Sequence, residues 1–217
     1  LAVVTQGPYA GTFLDGVELS TLGDWGARVG VDDLGLVFKA AAICDEYGLD
    51  VFDMAALVAY VMECFDRGIL TKKDTGGLQV EWGSADAILN LIEMTASRKG
   101  FGDILAEGLR GASRTIGRGS EKYALNIKNM APVMREPRAS KGWALMYAVS
   151  TRGSCHVRAH LPEWEPDYNW DSMLTGTLKK YKEPLNPLSE EAKGELTKWH
   201  EDLTAFKSSM ELCHFSI

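Results

Sequence analysis

Two aspartates, Asp45 and Asp50, stand on either side of Gly48 between two predicted helices, in a segment that could hold a ligand. Glycine permits the left-handed backbone conformation that ends many helices, so the sequence predicts a tight corner here. Carboxylates at such a corner can accept hydrogen bonds from the N–H-rich edge of a planar ring. The same residues also fit a purely structural interpretation, in which a helix C-cap is followed by an aspartate that caps the next helix.

A second polar segment runs from Arg152 to His160 and combines Gly153 with small and charged residues. Glycine and small side chains let the backbone approach a ligand closely. His156 is the candidate proton carrier, because the unperturbed pKa of histidine lies near neutrality. A structural hydrogen-bonding role is the alternative for this histidine. A hydrolytic dyad of Cys155 with His156 is disfavoured, because adjacent residues point in different directions.

Cys213 follows the last predicted helix, which would present its thiolate at the end of a rigid arm. This placement suits a ligand of an iron–sulfur cluster whose other ligands lie elsewhere. A packed cysteine without a chemical role is the alternative. The spacings of the four cysteines and four histidines match no zinc module, which argues against a zinc site. No Cys-x-x-Cys pair occurs and the cysteines are too sparse for a disulfide scaffold, so we expect a reducing, cytoplasmic compartment.

The composition excludes several classes of protein. The chain has 217 residues, 46% of them hydrophobic and 24% charged, and a formal net charge of -7. An acidic chain without a lysine or arginine cluster is not expected to bind nucleic acid. No window reaches the ~18 apolar residues of a membrane span, and the first residues lack the features of a signal peptide. Because the sequence lacks an initial Met, we expect a fragment of a longer protein.

Helical periodicity dominates the first half of the chain. Asp33 is the expected N-cap of a first helix that ends at Gly48. Asp53 is the expected N-cap of a second helix, whose apolar residues recur at helical spacing: Met54, Leu57, Val58, Val61, Met62 and Phe65. Clustered Gly and Pro before residue 35 predict irregular chain, and a small hairpin or a plain loop is expected between 69 and 82.

The second half predicts further helices and a long irregular connection that is rich in proline. Ser84 opens a third helix, a fourth runs to Gly117, and residues 141–149 form a short buried helix. Ser189 is the expected N-cap of the last helix, which carries one apolar stripe: Ala192, Leu196, Trp199, Leu203, Phe206 and Met210. The fold class is therefore all-α, mostly helical with an irregular N-terminal stretch.

The three polar segments occur in the same order in the aldehyde:ferredoxin oxidoreductase family, which the chain resembles over nearly its whole length. Asp45-x-x-Gly48-Leu49-Asp50 is similar to the family's first pterin-contacting motif. Four further stretches carry the resemblance: Glu136-Pro137-Arg138-Ala139-x-x-Gly142, Arg152-Gly153-x-Cys155-His156-x-Arg158, Trp199-x-x-Asp202-Leu203-Thr204-Ala205 and Leu212-Cys213-x-Phe215. The resemblance implies domains 2 and 3 of the family, with a middle helical domain in 1–125 and the first part of a C-terminal helical domain in 126–217.

The resemblance also implies a tungsten or molybdenum bis-pterin and a nearby [4Fe–4S] cluster. It assigns Cys213 to the cluster, and His156 and Glu18 to proton transfer. The implied reaction interconverts an aldehyde and a carboxylic acid, with ferredoxin or another low-potential carrier as electron partner, in an enzyme that could form homo-oligomers. It assigns cofactor binding to six residues: Asp45, Gly48, Leu49, Asp50, Arg158 and Leu212.

Two departures from the family pattern keep other functions open. Ser208 and Glu211 replace the Asp and Gly of the second motif, and the family's Gly-Pro-Glu-Tyr-Glu-Thr run is absent, so that Glu18 is matched to its active-site glutamate. These departures favour a benzoyl-CoA reductase-like, dearomatising subunit as one alternative. A non-catalytic helical module that keeps only the fold is the other. The family's N-terminal domain and three upstream cluster cysteines do not occur here, so residues 1–217 alone are expected to be inactive.

Overall fold

The computed structural model describes residues 1–133, 137–158 and 186–213. The chain divides into two compact units, Leu1–Met134 and Arg135–Ile217, each with its own packed helices. This division lies later in the chain than the boundary expected near residue 125. The correspondence between these units and the two family domains stays a prediction. The mostly helical fold class is confirmed, since the described strands form one two-stranded sheet.

That sheet lies at the N-terminus, where irregular chain was expected. Strand β1 (Ala2–Val3) pairs antiparallel with β2 (Phe13–Leu14). The hairpin considered for residues 69–82 is wrong, because this stretch contains turns and no strand. Side-chain bonds organise it instead: the backbone N–H and the hydroxyl of Thr71 donate to Asp74 Oδ2 at 2.9 and 2.8 Å. Such local bonds satisfy the backbone without a partner strand, which agrees with the loop alternative.

The first long helix begins and ends at the residues that the sequence predicted. After α1 (Leu19–Leu22) and a π-helical turn (Gly23–Ala27), α2 spans Leu34–Tyr47. Asp33 caps it by accepting a hydrogen bond from the backbone N–H of Gly35 at 2.7 Å. Gly48 ends it with a φ of 67°, in the left-handed region.

Helix α3 (Val51–Asp66) begins earlier than predicted, and its N-cap is Asp50 rather than Asp53. The backbone N–H groups of Phe52 and Asp53 both donate to Asp50 Oδ1, at 3.0 and 2.8 Å. The backbone N–H of Asp53 is therefore one of the helix-end donors for which Asp50 provides an acceptor. The predicted apolar stripe is confirmed, since five of its residues are buried in the core: Met54, Leu57, Val58, Val61 and Met62.

Three further helices complete the first unit and pack on the earlier helices or on one another. Helix α4 spans Ala85–Ala96 and is capped by Ser84 as predicted. The predicted fourth helix is divided into α5 (Phe101–Leu105) and α6 (Gly108–Ile116), because Gly108 has a φ of 73° and interrupts the helical conformation. A 3-10 turn (Ser120–Tyr123) follows.

The second unit contains a 3-10 turn (Pro137–Ala139), α7 (Lys141–Val149) and α8 (Lys193–Ser209), of which the two helices pack against each other. Helix α7 has its predicted bounds. Ser189 is not the N-cap of α8: its hydroxyl accepts from the backbone N–H of Glu191, and the helix begins only after Ala192. No helix in the described parts of the chain has the length and apolar character needed to cross a bilayer.

The apolar stripe predicted for α8 does not mark its buried side. Phe206 and Met210 are both 58% exposed, although Leu196 is buried. The buried face is rotated by roughly 100°, one residue position, from the stripe. It consists mainly of polar residues: Lys193, Leu196, Thr197, His200, Thr204 and Lys207. One of these, Lys193, donates from Nζ to the carbonyl oxygen of Asn186 at 2.9 Å, so its buried ammonium group is hydrogen-bonded.

Candidate functional site

The turn between α2 and α3 forms the tight corner that the sequence predicted. The backbone N–H of Gly48 donates to the carbonyl oxygen of Asp45 at 3.1 Å, and that of Leu49 donates to Cys44 at 2.8 Å. Asp50 then caps α3 through Oδ1 alone. In the described part of the chain its second oxygen, Oδ2, accepts no hydrogen bond. The structural interpretation of Asp50 is therefore correct, and one acceptor of the same carboxylate is still available to a ligand.

Asp50 lines a cavity of about 360 Å³, here called the Asp50 cavity, together with Leu49 and Asp53. Arg98 and Asn129 lie on its lining as well. Arg98 Nη1 lies 2.8 Å from a carboxylate oxygen of Asp103 and 2.9 Å from one of Glu107, so its charge is balanced. The lining thus keeps the negative charge of Asp50. Such a cavity favours ligand edges that donate hydrogen bonds over anionic groups.

Asn129 reaches the Asp50 cavity from a turn that the sequence analysis did not single out. Ile127 and Met130 exchange backbone hydrogen bonds of 2.9 and 3.2 Å around it. Lys128 and Asn129, the central residues of this turn, have φ values of 53° and 71°. Asparagine tolerates this left-handed conformation better than most residues. A polar Lys-Asn pair in a stretch without helical periodicity was the available signal.

Asp45 does not share the Asp50 cavity. It lines a separate cavity of about 580 Å³, next to Asp15, Lys39 and Glu46 and beside the loop that joins β1 to β2. Asp45 and Asp50 thus line different cavities among those described, and their contact with one ligand stays a prediction. Asp45 is exposed in the last turn of α2, whereas Asp50 belongs to the start of α3.

Cys44 precedes Asp45 in the chain and is fully buried. Its burial, together with the nearby carboxylates of Asp45 and Asp50, raises the pKa of the Cys44 thiol to about 12. The thiol is therefore protonated at neutral pH, which disfavours a nucleophilic role at this position.

Glu18, the expected proton-transfer carboxylate, stands at the N-cap position of the short helix α1. Its side chain is exposed and makes no capping hydrogen bond. It does not belong to the lining of the Asp50 cavity or of the Asp45 cavity. The role of Glu18 stays a prediction that rests on the resemblance.

His156 lies in the second unit, in an irregular segment that follows α7. Gly153 has a φ of 97°, and the two residues after it, Ser154 and Cys155, are buried. Arg152 Nη1 donates to Cys155 Sγ at 3.5 Å, and this hydrogen bond connects the residues on either side of Gly153 and Ser154. His156 is half-buried, whereas Arg158 is exposed, with its backbone N–H donating to the carbonyl oxygen of Cys155 at 3.4 Å. His160 lies outside the described residues.

Cys213 follows the C-terminus of α8, as predicted. The backbone N–H of Leu212 donates to the carbonyl oxygen of Lys207 at 3.0 Å and closes the helix end. Cys213 is exposed, in contrast to the other three cysteines, which are buried. Among the described residues no group of three or more His, Cys, Asp or Glu could hold a metal ion. The assignment of Cys213 as one ligand of a metal cluster stays a prediction that rests on the resemblance.

Comparison with known proteins places this arrangement in a family. The family model described as aldehyde ferredoxin oxidoreductase, domains 2 and 3, matches residues 1–217. Among curated proteins, the tungsten-containing aldehyde ferredoxin oxidoreductase of Pyrococcus abyssi is 30% identical over 208 residues, which cover 93% of this chain and 32% of that protein. The enzyme of the same name from Pyrococcus horikoshii has the same identity and coverage. The chain thus spans about a third of the length of these relatives.

Two further similarities are more distant. The aliphatic sulfonate oxidoreductase, WOR-like subunit, of Pyrococcus furiosus is 29% identical over 163 residues, covering 72% of this chain and 26% of that protein. The solved active-site complex BamBC of benzoyl coenzyme A reductase, bound to 1,5-dienoyl-CoA, superposes with a TM-score of 0.71. That match covers 93% of this chain and 34% of the solved chain at 23% identity, so it supports the fold alone.

Proposed function

This chain belongs to the aldehyde ferredoxin oxidoreductase family, a family of oxidoreductases, and we propose that it forms part of a tungsten bis-pterin enzyme. The enzyme would interconvert aldehydes and carboxylic acids and exchange electrons with ferredoxin or another low-potential carrier. The observation that carries the proposal is the family match, which extends over the whole chain and includes the corner at Asp50. The names of the relatives from two Pyrococcus species support tungsten over molybdenum.

The donor set at the Asp50 cavity fits the polar edge of a pterin. A pterin presents N–H groups, and Asp50 Oδ2 is an acceptor on the lining of the cavity. Gly48 and Leu49 would position this acceptor by fixing the corner before α3. Because Arg98 is balanced by two carboxylates, we place only the N–H-rich ring edge here. The anionic phosphates of the cofactor would contact other groups, and we propose Arg158 as one of them.

The bound tungsten pterin would supply the two-electron chemistry, and the protein would orient the substrate and move protons. We propose that His156, and more weakly Glu18, carry the proton that accompanies the interconversion of aldehyde and acid. Asp45 would contact the cofactor from the other side of the α2–α3 turn. Leu212 would pack against it, while Cys213 would be one thiolate ligand of a [4Fe–4S] cluster that passes single electrons to the carrier. We further propose a cytoplasmic location and a homo-oligomer.

The test of this function is the metal content and the activity of the intact, anaerobically purified protein. We expect tungsten, iron and pterin to copurify, and an aldehyde to reduce ferredoxin or a viologen dye. Tungsten and molybdenum would be measured by mass spectrometry, and aryl-CoA reduction would be assayed in parallel. A protein without either metal would contradict the proposal and favour a non-catalytic module. Activity on aryl-CoA alone would assign the dearomatising function instead.

The role of His156 can be tested separately with His156→Asn. Asparagine keeps hydrogen-bonding capacity but cannot titrate near neutrality. We expect metal and pterin contents close to those of the parent, and turnover per tungsten lower by ~10²–10⁴-fold, the usual contribution of a general acid–base residue. The measurement is kcat per bound tungsten between pH 5 and 9. A rate within about twofold of the parent would leave His156 with a structural role only.

A further inference from the structure

We propose that a separate cavity of the first unit binds a small aromatic carboxylate. This cavity, here called the Trp82 cavity, has a volume of about 370 Å³ and lies beside α3. Its volume falls within the ~300–1,000 Å³ range of small-molecule pockets. Its lining shares a single residue, Leu109, with that of the Asp50 cavity. None of the residues to which we assign a cofactor or proton role lines it, so the inference is independent of the proposed function.

The interior of the Trp82 cavity is shaped to accept a flat apolar group. Ala56 and Ala59 lie one turn apart on α3, and their short side chains leave the space that a larger residue would fill. Three aromatic side chains surround this space: Tyr60, Trp82 and Tyr123. Aromatic walls favour an aromatic guest, because rings gain from stacked or edge-to-face contact in addition to apolar burial.

Two of these rings are held in place from outside the cavity. The hydroxyl of Tyr60 and that of Ser120 lie 2.8 Å apart and are hydrogen-bonded in the protein interior. Burial raises the pKa of Tyr60, so the phenol stays neutral and adds no negative charge to the cavity. The guanidinium of Arg67 lies 4.5 Å from the ring centroid of Tyr123, which restrains that ring by a cation–π contact. The walls are therefore preorganised rather than assembled by the ligand.

The charge at the mouth of the cavity specifies an anionic ligand. Arg28 and Glu63 on the lining each have an oppositely charged partner, at 3.1 and 2.5 Å. The third charged residue, Lys122, has its Nζ 4.9 Å from the centroid of Tyr123, and no carboxylate in the described part of the chain pairs with it. The cavity thus carries one uncompensated positive charge in a chain of net charge -7. A ligand with an aryl group and one carboxylate would contact the aromatic walls and pair with this positive charge.

Phenylacetate is a suitable probe, and the isosteric but neutral phenylacetamide is its control. We expect phenylacetate to bind saturably to the intact protein. Binding would be measured by ligand-observed NMR and by quenching of tryptophan fluorescence. The amide should bind about tenfold more weakly, as loss of one charge-assisted contact predicts. Equal affinity of the two compounds would overturn the assignment of an anionic ligand. Absence of saturable phenylacetate binding up to roughly 10 mM, the millimolar limit of weak association, would overturn the site altogether.

Two variants locate the binding within the cavity. Ala59→Leu places a larger side chain in the cavity, while leucine remains a good helix former, so binding of both compounds should be lost. The exposed residue Lys122 tolerates replacement, and Lys122→Gln should reduce phenylacetate binding to the level of the amide. Lys73→Gln makes the same charge change at an exposed loop residue outside the cavity and should have no effect. Phenylacetate binding that persists unchanged in both Ala59→Leu and Lys122→Gln would overturn the proposal.

Discussion

At the scale of single residues, the packing of α5 against the end of α4 depends on Gly102 in α5. A methyl group at this position would lie 2.1 Å from the carbonyl carbon and oxygen of Met94 and 2.7 Å from the backbone nitrogen of Thr95. These are backbone atoms at the end of α4, which cannot rotate aside as a flexible side chain can. Gly102 is therefore required for α5 to pack on α4.

We predict that Gly102→Ala destabilises the protein by at least ~1–3 kcal/mol, the usual cost of overpacking a core. The strain should separate α4 from α5 and lower the urea concentration at the midpoint of unfolding. Far-UV circular dichroism measures this midpoint. Gly194→Ala is the matched control in α8, where no atom of the described residues outside the helix's own nearby backbone lies within 4 Å of the added methyl group. Alanine should stabilise that helix by up to ~1 kcal/mol. Equal behaviour of the two variants would show that the α4–α5 contact is looser than described.

At the scale of elements, Asp50 combines a structural and a proposed cofactor role, and substitutions can separate them. Asp50→Ala removes the cap of α3 and should cost ~0.5–2 kcal/mol. Asp50→Asn should keep the stability, because asparagine caps helices as well as aspartate does. If the carboxylate contacts the pterin, both variants should lose pterin, measured as its fluorescent oxidation product per mole of protein.

Asp33 provides the control for this experiment, since it caps α2 with the same chemistry but lines none of the described cavities. Asp33→Ala should lower stability, whereas pterin content should not change beyond what reduced stability causes. Full pterin retention in Asp50→Asn would reduce Asp50 to its capping role.

The loop at residues 69–77 is tied to the segment after α6 by an ion pair that depends on pH. Arg118 Nη2 lies 2.7 Å from Asp74 Oδ1, and Arg118 Nη1 donates to the carbonyl oxygen of Ile69 at 2.7 Å. The hydrogen bonds from Arg118 and Thr71 hold the pKa of Asp74 well below its usual range. Its folded-state pKa is thus lower than the ~3.9 of an unfolded chain, so ionised Asp74 stabilises the fold above that pH.

We therefore predict that Asp74→Asn lowers stability at pH 7 and that the difference from the parent shrinks as the pH falls below ~3.9. The measurement is the urea midpoint at pH 7, 5, 4 and 3. Asp32→Asn, which removes an exposed carboxylate that forms no side-chain hydrogen bond or ion pair among the described residues, is the control and should show little effect at pH 7. A difference between parent and Asp74→Asn that stays constant over this pH range would contradict the role of the ion pair.

Local capping chemistry made several helix bounds predictable, whereas features that depend on tertiary packing could not be predicted from the sequence. Asp33, Gly48 and Ser84 act through backbone groups a few residues away, so their roles could be recognised in the sequence. The choice between Asp50 and Asp53 required the positions of the backbone N–H groups that donate to the capping carboxylate. The buried face of α8 depends on what packs against it, and the apolar stripe alone could not reveal this.

The candidate site was predictable as a set of segments but not as a geometry. Gly48 and Asp50 lie in the expected corner, because glycine and aspartate specify it locally. Asp45 lies in the last turn of α2 and Asp50 caps α3, and the two residues line different cavities, which a linear motif does not express. Asn129 is far from Asp50 in the sequence and lines the Asp50 cavity only because the folded chain brings its turn there.

At the scale of the whole molecule, the candidate groups are divided between two units. The first unit contributes the acceptor at Asp50, and the second contributes His156 and Cys213. The chain spans about a third of the length of its curated relatives, which leaves room in such proteins for further ligands and binding surfaces. A complete catalyst would thus require groups beyond those described in residues 1–217, as the cysteines illustrate.

We predict that residues 1–217 expressed alone are helical but do not form a [4Fe–4S] cluster. Such a cluster is held by four cysteine thiolates. Cys213 is exposed, but Cys44, Cys64 and Cys155 are buried, and burial raises the pKa of the Cys44 and Cys64 thiols. These two thiols would have to leave the core and ionise before they could bind iron. Iron, sulfide and visible absorbance after anaerobic reconstitution provide the measurement, with Cys213→Ala as the matched control. One cluster per chain, lost in Cys213→Ala, would mean that the fragment rearranges its core cysteines around iron and would contradict the proposal that the remaining ligands lie elsewhere.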